Sequence, residues 1–573
     1  MFVADFETTT DPDDCRVWAW ATCDIDDVTL VAVDNTIDSF VDFCRSNQDT
    51  YFFHNLAFDG EFLISHLLNS GFSWVESKRP KAYEFSTLIS DTGKYYQIKV
   101  CFAWTNAKRN VTCVFRDSLK KLPMSVDAIA KAFGLPVSKL EIDYDEYRAP
   151  GHVLTDEERA YVVNDVRIVA MALRQQFAKG LTKMTVGSDA LNDCREFLGS
   201  RNRWENMFPI LSIESDDLIR KAYRGGYTFC NPKFQADEAN PDRCVGEGSV
   251  YDVNSMYPSV MSQCALPVGL PVFFEGRYTP RDDYPLYVQF VTMSCELRDS
   301  FFPILQIKKN PYFSPTQYQS STNGYVDLAL TNVDMEMLDA HYETDVLDYK
   351  GGFAFRCATG VFDSYIDYWM RIKAKSSGGT RMLAKLMLNS LYGKFATNPH
   401  CQSKRPYIRD DGSVGYSLLP EELRKPVYTP VGVFVTSYAR ARIQTAIEHV
   451  HDRFCYCDTD SIHVVSRETI SALDVHPSRL GAWKHESDFD KAKYVRAKTY
   501  MERVIAEGKM VDGTYEMVDV DPYVQVRCAG LPDTIRKGLT FEEFRSGLIV
   551  PGKLRPCHVP GGIVLEKTDF TIR

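Results

Sequence analysis

Several features are missing from this sequence, and each absence excludes a class of protein. There is no run of about 18 apolar residues, so we expect no membrane-spanning helix. The first residues, Met1 to Asp5, contain no basic segment, so we expect no secretory signal. The 16 cysteines include no Cys-x-x-Cys pair, and the nearest two, Cys455 and Cys457, lie in a strand-like run. Buried free thiols are therefore favoured over disulfides or a zinc site.

The length of 573 residues exceeds what one hydrophobic core usually serves, which predicts several domains without internal repeats. The net charge of −11 is unevenly spread, because residues 1–60 contain 13 acidic and 2 basic side chains. The remainder is balanced, with 64 side chains of each sign. Basic clusters at 371–375, 404–405 and 491–498 fit either a solvated face or a groove for a phosphate backbone, and charge alone does not decide between them.

Sequence patterns predict the elements of the first half. Alternating apolar residues and Asp-rich turns at the start indicate a β-sheet. Thr155 to Glu158 form a capping box, which predicts a helix as far as about Phe177. Gly187-Ser188-Asp189 is typical of a domain boundary. Residues 265–355 are rich in Pro, Tyr and Asp, which favours a mostly irregular insertion.

In the second half, periodicity predicts a helix from about Thr380 to Ala396. Asp411-Gly412 lies in a polar stretch and predicts a hairpin turn. A strand is expected from Ser249 to Asn254. Residues 453–465 are expected to form two strands joined at Asp458-Thr459-Asp460.

Three aspartates are candidates for a metal centre. Asp252 lies near the end of its strand, and Asp458 and Asp460 are two residues apart, so both point to one side of an extended chain. A lone Asp in a turn is usually a capping or solvated residue. Two acidic side chains on one face, however, repel each other unless a cation neutralises them. Phosphoryl transfer to a hydroxyl uses two divalent cations about 4 Å apart, held by oxygen ligands.

One face of the helix predicted over 380–396 carries functional rather than packing side chains. Arg381, Lys385, Asn389 and Tyr392 follow the spacing i, i+4, i+8, i+11, which places them on one side. A solvated face is the alternative, but Asn and Tyr add little to solubility. Two cations, an amide and an aromatic ring suit a triphosphate and a base.

A second set of acids precedes these segments. Asp5 and Glu7 lie on one face of a strand, and Tyr161 and Asp165 lie on one face of the capped helix. With Asp59, the four carboxylates could hold two metals and activate a water for attack on a phosphodiester, and Tyr161 could position that water. Acids on a solvated sheet rim are the alternative, which leaves the ordered set of motifs unexplained.

Three motifs resemble those of family B DNA polymerases in residues, order and spacing: Asp252-x-x-Ser255-Met256-Tyr257-Pro258, Lys385-x-x-x-Asn389-Ser390-x-Tyr392-Gly393 and Tyr456-x-Asp458-Thr459-Asp460-Ser461. The resemblance implies that Asp252 and Asp458, with Asp460 nearby, hold two Mg²⁺ ions, for which Mn²⁺ can substitute. The Val253 carbonyl would be a backbone ligand.

The same resemblance assigns the substrate contacts. Lys373, Arg381, Lys385 and Asn389 would bind the incoming dNTP. Tyr257 would exclude a 2′-hydroxyl, and Tyr392 would line the base-pair pocket. The DNA contacts would include Ser255, Lys498-Thr499-Tyr500 near the primer terminus, and Thr436-x-x-Ala439-Arg440 on the template.

The N-terminal acids resemble a DEDDy-type 3′–5′ exonuclease with an RNase H-like fold. Its three motifs correspond to Asp5-x-Glu7, Asn55-x-x-Phe58-Asp59 and Tyr161-x-x-x-Asp165. The resemblance implies that Lys139 is an auxiliary catalytic residue and that Glu141 is a secondary metal ligand. The single-stranded primer end would contact His54, Asn55, Phe58, Phe62, Ser118 and Leu119; for Phe62, packing in the core is an equal alternative.

Two features narrow the resemblance to protein-primed family B DNA polymerases, the phi twenty-nine type of small bacteriophages. Tyr223-Arg224-Gly225-Gly226 resembles the motif that coordinates synthesis with editing at the DNA. Insertions at about 303–358 and 397–429 resemble the two terminal-protein regions. The implied partners are template and primer DNA, dNTPs and a terminal protein, with viral single-stranded and double-stranded DNA-binding proteins in addition and no membrane. Strand displacement, high processivity and a place in the cytoplasm of a bacterial host are also implied.

The expected fold combines α/β and α+β domains: an RNase H-like exonuclease domain and a right-hand polymerase domain with two insertions. The expected divisions are 1–187 exonuclease, 188–263 first palm part, 264–360 first insertion, 361–396 fingers, 397–429 second insertion, 430–528 second palm part and 529–573 thumb. Arg381 departs from the family pattern, which has lysine there, and the strand before Asp5 is short. Two alternatives stay open: a family B polymerase that uses only ordinary nucleic-acid primers, and a DNA-binding exonuclease whose palm is inactive.

Overall fold

The computed structural model describes residues 1–104, 110–144, 146–308 and 310–572. Its N-terminal part alternates strands and helices, with a 3₁₀ turn at Ser118–Lys120. The elements are β1 (Phe2–Thr8), β2 (Val17–Asp24), β3 (Val31–Asp34), α1 (Ile37–Ser46), β4 (Thr50–Phe53), α2 (Leu56–Asn69), β5 (Ser73–Trp74), β6 (Glu84–Ile89), β7 (Tyr95–Trp104), β8 (Asn110–Asp117), α3 (Val126–Phe133) and α4 (Asp156–Phe177).

These strands form one mixed sheet in the order β3-β2-β1-β4-β8-β7-β6-β5, in which β1, β4 and β8 run parallel. Residues of β1 alternate between two cores. Ala4 and Phe6 pack with α1 and α2, whereas Val3 packs with α3 and α4. Asp5 and Glu7 therefore face α4. The predicted capping box is confirmed, since the Thr155 side chain accepts a hydrogen bond at the start of α4.

The next segment is helical and returns to a strand. It contains α5 (Val186–Phe197), α6 (Arg201–Met207), α7 (Ile213–Arg220), β9 (Thr228–Cys230), β10 (Gly248–Val253) and α8 (Met256–Gln263). The domain boundary expected at Gly187-Ser188-Asp189 coincides with the start of α5. Thr185 caps α5 by accepting a hydrogen bond from the Ser188 amide, so these residues form the first helical turn rather than a linker.

The insertion expected to be mostly irregular is instead an ordered sheet with one helix, so that prediction is wrong. Its elements are β11 (Leu266–Phe274), β12 (Leu286–Leu297), β13 (Val326–Thr331), α9 (Asn332–His341) and β14 (Tyr342–Ala358), in the sheet order β11-β14-β12-β13. Five of its seven prolines lie outside these elements, but five of its eight aspartates lie within them, so the composition did not indicate the strands. Alternate residues of β12, among them Val291 and Met293, are buried in a small separate core.

The remaining chain begins with two helices and ends in long hairpins. It comprises α10 (Asp363–Lys375), α11 (Gly378–Phe395), β15 (His400–Cys401), β16 (Lys404–Ile408), β17 (Val414–Leu418), β18 (Glu422–Leu423), α12 (Thr429–His449), β19 (Phe454–Asp458), β20 (Ser461–Val465), β21 (Trp483–Arg496), β22 (Thr499–Val511), β23 (Thr514–Cys528), α13 (Asp533–Arg536), β24 (Ile549–Val559) and β25 (Gly562–Thr571). The predicted helix at 380–396, the hairpin at Asp411-Gly412 and the strand pair at 453–465 are confirmed.

A second sheet, in the order β23-β22-β21-β10-β20-β19-β9, lies at the centre of the molecule. Its largest core packs α5, α8, α11 and α12 against β10, β19 and β20. All 16 cysteines lie in described residues and are unpaired, as expected, and most are buried. None of the described helices is both long and apolar enough to cross a membrane.

Candidate active sites

The central sheet brings three predicted aspartates together. In the antiparallel pair of β10 and β20, Asp252 lies opposite Ser461, and the Val253 amide donates to the Asp460 carbonyl at 2.8 Å. The β19–β20 turn is tight, since Thr459 has φ 65° and its amide donates to the Tyr227 carbonyl at 2.7 Å. We call Asp252, Asp458 and Asp460 the central cluster.

Proximity and burial change the acidity of the central cluster. Burial, and then the charges of Asp460 and Glu486, raise the pKa of Asp252 to about 8. Burial, and then Asp458, raise the pKa of Asp460 to about 6. Both burial and the neighbouring carboxylates disfavour the ionised forms, and a bound cation would stabilise them.

Glu486 was missed by the sequence reasoning. It is the extra residue of a β-bulge, because Val250 pairs with Ser487 and Tyr251 pairs with His485. Bulges near active sites re-aim a side chain, and this one adds a fourth carboxylate beside the central cluster. No periodic pattern in the sequence marks a bulge, so nothing in the sequence indicated that Glu486 lies near the central cluster.

The predicted nucleotide contacts gather on one side of the central cluster. Arg381, Lys385 and Asn389 are exposed along α11, as the spacing predicts. The rings of Tyr257 and Tyr392 stack with centroids 3.8 Å apart. Lys373 donates to the Ser255 hydroxyl at 3.0 Å. Burial lowers the pKa of Lys373, and Arg381 and Lys385 lower it further, so these cations are close neighbours.

The loop of the Tyr-Arg-Gly-Gly motif lies beside the central cluster. A Cβ at Gly226 would come within 2.7 Å of the Thr459 side chain, so only glycine fits there. Gly225 is exposed and Tyr223 is half-buried. Arg224, in contrast, is buried and donates to the Ala329 carbonyl at 2.9 Å, so the expected direct contact of Arg224 with DNA is not supported.

The expected template contacts Thr436 and Arg440 are also buried. The Thr436 hydroxyl donates to the Val433 carbonyl at 3.0 Å. Arg440 donates to the Asp334 carboxylate at 2.6 Å and to the carbonyls of Arg224 and Gly225 at 3.0 Å each. These contacts do not support a direct template contact of Arg440; its side chain instead holds the Tyr-Arg-Gly-Gly loop in place.

Lys498 and Tyr500 lie at the β21–β22 turn, next to Asp458. The Lys498 ammonium donates to the Asp458 carboxylate at 2.5 Å, and its amide donates to the Tyr456 hydroxyl at 2.9 Å. Thr228, another residue without a sequence signal, donates its hydroxyl to the same Asp458 oxygen at 3.1 Å. Tyr500 packs against Tyr456, with ring centroids 4.9 Å apart.

A second cluster lies between β1, α2 and α4. We call Asp5, Glu7, Asp59 and Asp165 the N-terminal cluster. The Phe6 amide donates to the Asp59 carboxylate at 3.1 Å, which ties α2 to β1. Burial, and then Asp165, raise the pKa of Asp5 to about 7; burial and neighbouring carboxylates also raise the pKa of Glu7 and Asp59. All four predicted carboxylates are thus brought together.

Lys139 and two tyrosines border the N-terminal cluster. The Lys139 ammonium donates to Asp165 at 2.6 Å and lies 5.2 Å from the centre of the Tyr161 ring. The Tyr161 hydroxyl is hydrogen-bonded to that of Tyr144, a loop residue with no periodic signal that sequence reasoning missed. Glu141 is exposed, and no contact with the cluster supports the expected ligand role.

The residues expected to hold a primer end differ in exposure. Asn55 is exposed, with φ 78°, and its amide donates to the Asp117 carboxylate at 3.1 Å. Phe58 and Leu119 are half-buried. Ser118 is buried and bonded to His54 at 2.9 Å, so both serve packing at least in part.

Phe62 is only 1% exposed and packs against Gly562 of the C-terminal hairpin. This burial favours the core alternative for Phe62 over contact with DNA.

Within the described residues, no three His, Cys, Asp or Glu side chains already form a metal-binding group. In each cluster a lysine ammonium bonds one carboxylate, Lys498 on Asp458 and Lys139 on Asp165. The donor sets nevertheless fit a hard divalent cation, because they consist of carboxylate oxygens, and the pKa values of Asp252, Asp460 and Asp5 are raised. In the N-terminal cluster the Asp165 Oδ1 atom is also buried without a hydrogen-bond partner.

Comparisons with known proteins agree with this geometry over the whole chain. Residues 42–474 match the family described as DNA polymerase type B, organellar and viral. The DNA polymerase of Bacillus phage Nf is 44% identical over 580 residues, which cover 100% of this chain and 99% of the relative. Phi29 DNA polymerase complexed with primer-template DNA matches with a TM-score of 0.93 and 42% identity, covering 100% of both chains. Its complex with primer-template DNA and incoming nucleotide substrates gives the same values.

Proposed function

Because this chain belongs to the organellar and viral type B DNA polymerases and is a DNA-directed DNA polymerase, we propose that it starts synthesis on a terminal protein, displaces the non-template strand and proofreads with a 3′–5′ exonuclease. The observation that carries the proposal is the presence of two separate buried carboxylate clusters in one chain. One suits nucleotidyl transfer, and the other suits hydrolysis of a phosphodiester.

Family membership implies dependence on divalent metal ions, and we propose Mg²⁺. Asp252, Asp458 and Asp460, with the Val253 carbonyl, would hold it in the central cluster; Asp5, Glu7, Asp59 and Asp165 would hold it in the N-terminal cluster. When bound, such ions activate an attacking oxygen and stabilise charge on the leaving oxygen. Lys498 and Lys139 would then give up part of their contact with the carboxylates.

The residues around the central cluster would select and orient the incoming dNTP. Lys373, Arg381 and Lys385 would bind its triphosphate by charge-assisted hydrogen bonds. Tyr257, held by stacking on Tyr392, would leave no room for a 2′-hydroxyl beneath the sugar. In the N-terminal cluster, the paired hydroxyls of Tyr161 and Tyr144 would orient the attacking water.

Protein priming is supported by the two insertions and by the full-length likeness to phage polymerases. The first insertion is the sheet β11–β14 with α9, and the second contains the hairpin β16–β17. Mixing the chain with its purified cognate terminal protein and one dNTP should label the terminal protein. If only ordinary primers are extended, protein priming is refuted while polymerase activity stands.

The two-site assignment is tested by a pair of reciprocal variants. Asp458→Asn should abolish primer extension and leave degradation of single-stranded DNA intact. Asp5→Ala combined with Glu7→Ala should abolish degradation and leave extension intact. Each variant serves as the folding control for the other, and loss of both activities in either one would contradict the assignment.

A further inference from the structure

Lys484, on β21, shares the open face of the central sheet with Asp252. The two residues are directly opposite in the antiparallel pair of β10 and β21, and such partners project from the same face. The neighbouring pair shows the alternation on the other face. There, the rings of Tyr251 and His485 stack 4.6 Å apart with an angle of 18°.

The charge of Lys484 acts on the central cluster. The charges of Lys484 and of Lys385 on α11 lower the pKa of Asp252, against the larger effects that raise it. Lys484 is half-buried, and among the described residues its ammonium group has no hydrogen-bond or ion-pair partner. Its charge also acts weakly on Glu507, whose principal partners are Tyr523 and Lys509. Its ammonium donors are therefore available to a ligand at the central cluster.

Apart from Lys498, which already bonds Asp458 from the β21–β22 turn, the cations described around this cleft belong to two helices. Lys373 belongs to α10, and Arg381 and Lys385 belong to α11. Lys484 comes from the sheet, where Glu486 adds negative charge two residues further on. A polyphosphate carries negative charge along its length, so cations on both walls stabilise it better than cations on one.

We propose that Lys484 is a substrate-binding residue that contacts the triphosphate of the incoming nucleotide, and the pyrophosphate released from it, from the sheet side of the cleft. The inference rests on the polymerase role of the central cluster. The proposed role of Lys484 is binding only. Its ammonium group would donate hydrogen bonds to phosphate oxygens, since it offers three donors and no acceptor.

The experiment compares Lys484→Met, which keeps the apolar stem, with Lys484→Arg, which keeps the charge. Lys350→Met is the matched control, because Lys350 is an exposed lysine of the first insertion, bonded to Asp327. KM and kcat are measured for single-nucleotide insertion with varied dNTP, and for pyrophosphorolysis with varied inorganic pyrophosphate. Degradation of single-stranded DNA is measured in parallel.

Lys484→Met should raise both KM values about tenfold, as expected for loss of a charged hydrogen bond, with single-strand degradation unchanged. Lys484→Arg keeps the charge, so its two KM values should stay close to those of the wild type. Wild-type KM values in Lys484→Met would overturn the proposal. A changed Mg²⁺ requirement with an unchanged KM for pyrophosphate would also overturn it, because Lys484 would then act only on Asp252. If the wild-type chain itself extends no primer, it is the proposed function that fails.

Discussion

At the scale of single residues, both clusters contain carboxylates that burial and neighbouring carboxylates make hard to ionise. Asp252 and Asp5 have raised pKa values of about 8 and about 7. An unfolded chain ionises the same groups near their ordinary values, about 3.9 for Asp. Without metal, the folded protein therefore binds protons more tightly than the unfolded chain near neutral pH.

This difference predicts a pH dependence of stability. A raised folded-state pKa stabilises fully below the unfolded pKa, and the stabilisation is lost as the pH rises through the folded pKa. For Asp252 that window runs from about pH 4 to about pH 8. The apparent melting temperature of metal-free protein should fall across this window, and Mg²⁺ should reverse the fall.

Asp252→Asn should remove part of this fall and should be more stable than the wild type above about pH 8, by ~2 kcal/mol or more, since one pKa unit corresponds to about 1.4 kcal/mol. Asp519→Asn, at an exposed position on β23, is the matched control and should follow the wild type. Thermal unfolding in EDTA at several pH values provides the measurement. An Asp252→Asn curve that follows the wild type at every pH would contradict the prediction.

The sequence predicted the cluster residues well, because their signals are local. Asp458 and Asp460 follow strand alternation, and Tyr161 and Asp165 follow helix spacing. Burial of Arg440 was not predictable in this way. It depends on Asp334, 106 positions away in the chain, which only the folded structure brings within bonding distance.

At the scale of elements, α11 divides its two tasks between two faces. Its inner face buries Leu383, Met387 and Leu388 in the cores of the molecule, and its outer face exposes Arg381 and Lys385. The helical period thus separates stability from nucleotide binding within one element. Substitutions one turn apart or less should have different consequences.

Leu388→Ala should destabilise the protein by about 2–5 kcal/mol, because it leaves a cavity beneath the helix. Lys385→Ala should leave stability nearly unchanged and raise the KM for dNTP about tenfold, through loss of a charged contact. Denaturant unfolding and single-nucleotide insertion kinetics measure the two effects. The separation of faces would be wrong if Lys385→Ala destabilised the protein as much as Leu388→Ala did.

Elements with strong local patterns were predictable, and those defined by long-range pairing were not. The helices α4 and α11 and the hairpin β16–β17 carry caps, periodicity or a turn dipeptide. The first insertion was expected to be irregular because residues 265–355 are rich in Pro, Tyr and Asp. Strand β14 pairs with both β11 and β12, and this register has no local signal.

At the scale of the whole molecule, the tip of the β24–β25 hairpin joins the C-terminal part to the N-terminal sheet and the second insertion. His558 lies 3.4 Å from the buried Glu61 carboxylate of α2. Glu61 also accepts a hydrogen bond from Tyr95, whose hydroxyl lies 2.6 Å from that of Tyr416 on β17. Ile563 and Val564 of the hairpin and Val414 of β17 share the core of the N-terminal sheet.

The contact of the β24–β25 tip with the N-terminal sheet and the second insertion should matter for processive synthesis. If the tip detached, the C-terminal part would lose its contact with both. Gly561 has φ 94°, and a Cβ there would lie 2.1 Å from the Cys15 carbonyl oxygen, so Gly561→Ala should displace the tip. Gly552 lies in the same hairpin with φ 93°, and a Cβ there would have no atom within 4 Å, so Gly552→Ala introduces similar backbone strain without the clash. On a primed circular template with trap DNA, Gly561→Ala should shorten products several-fold while single-nucleotide insertion stays at the wild-type rate. Gly552→Ala should keep products at the wild-type length, and equal shortening in both variants would assign the effect to strain rather than to docking.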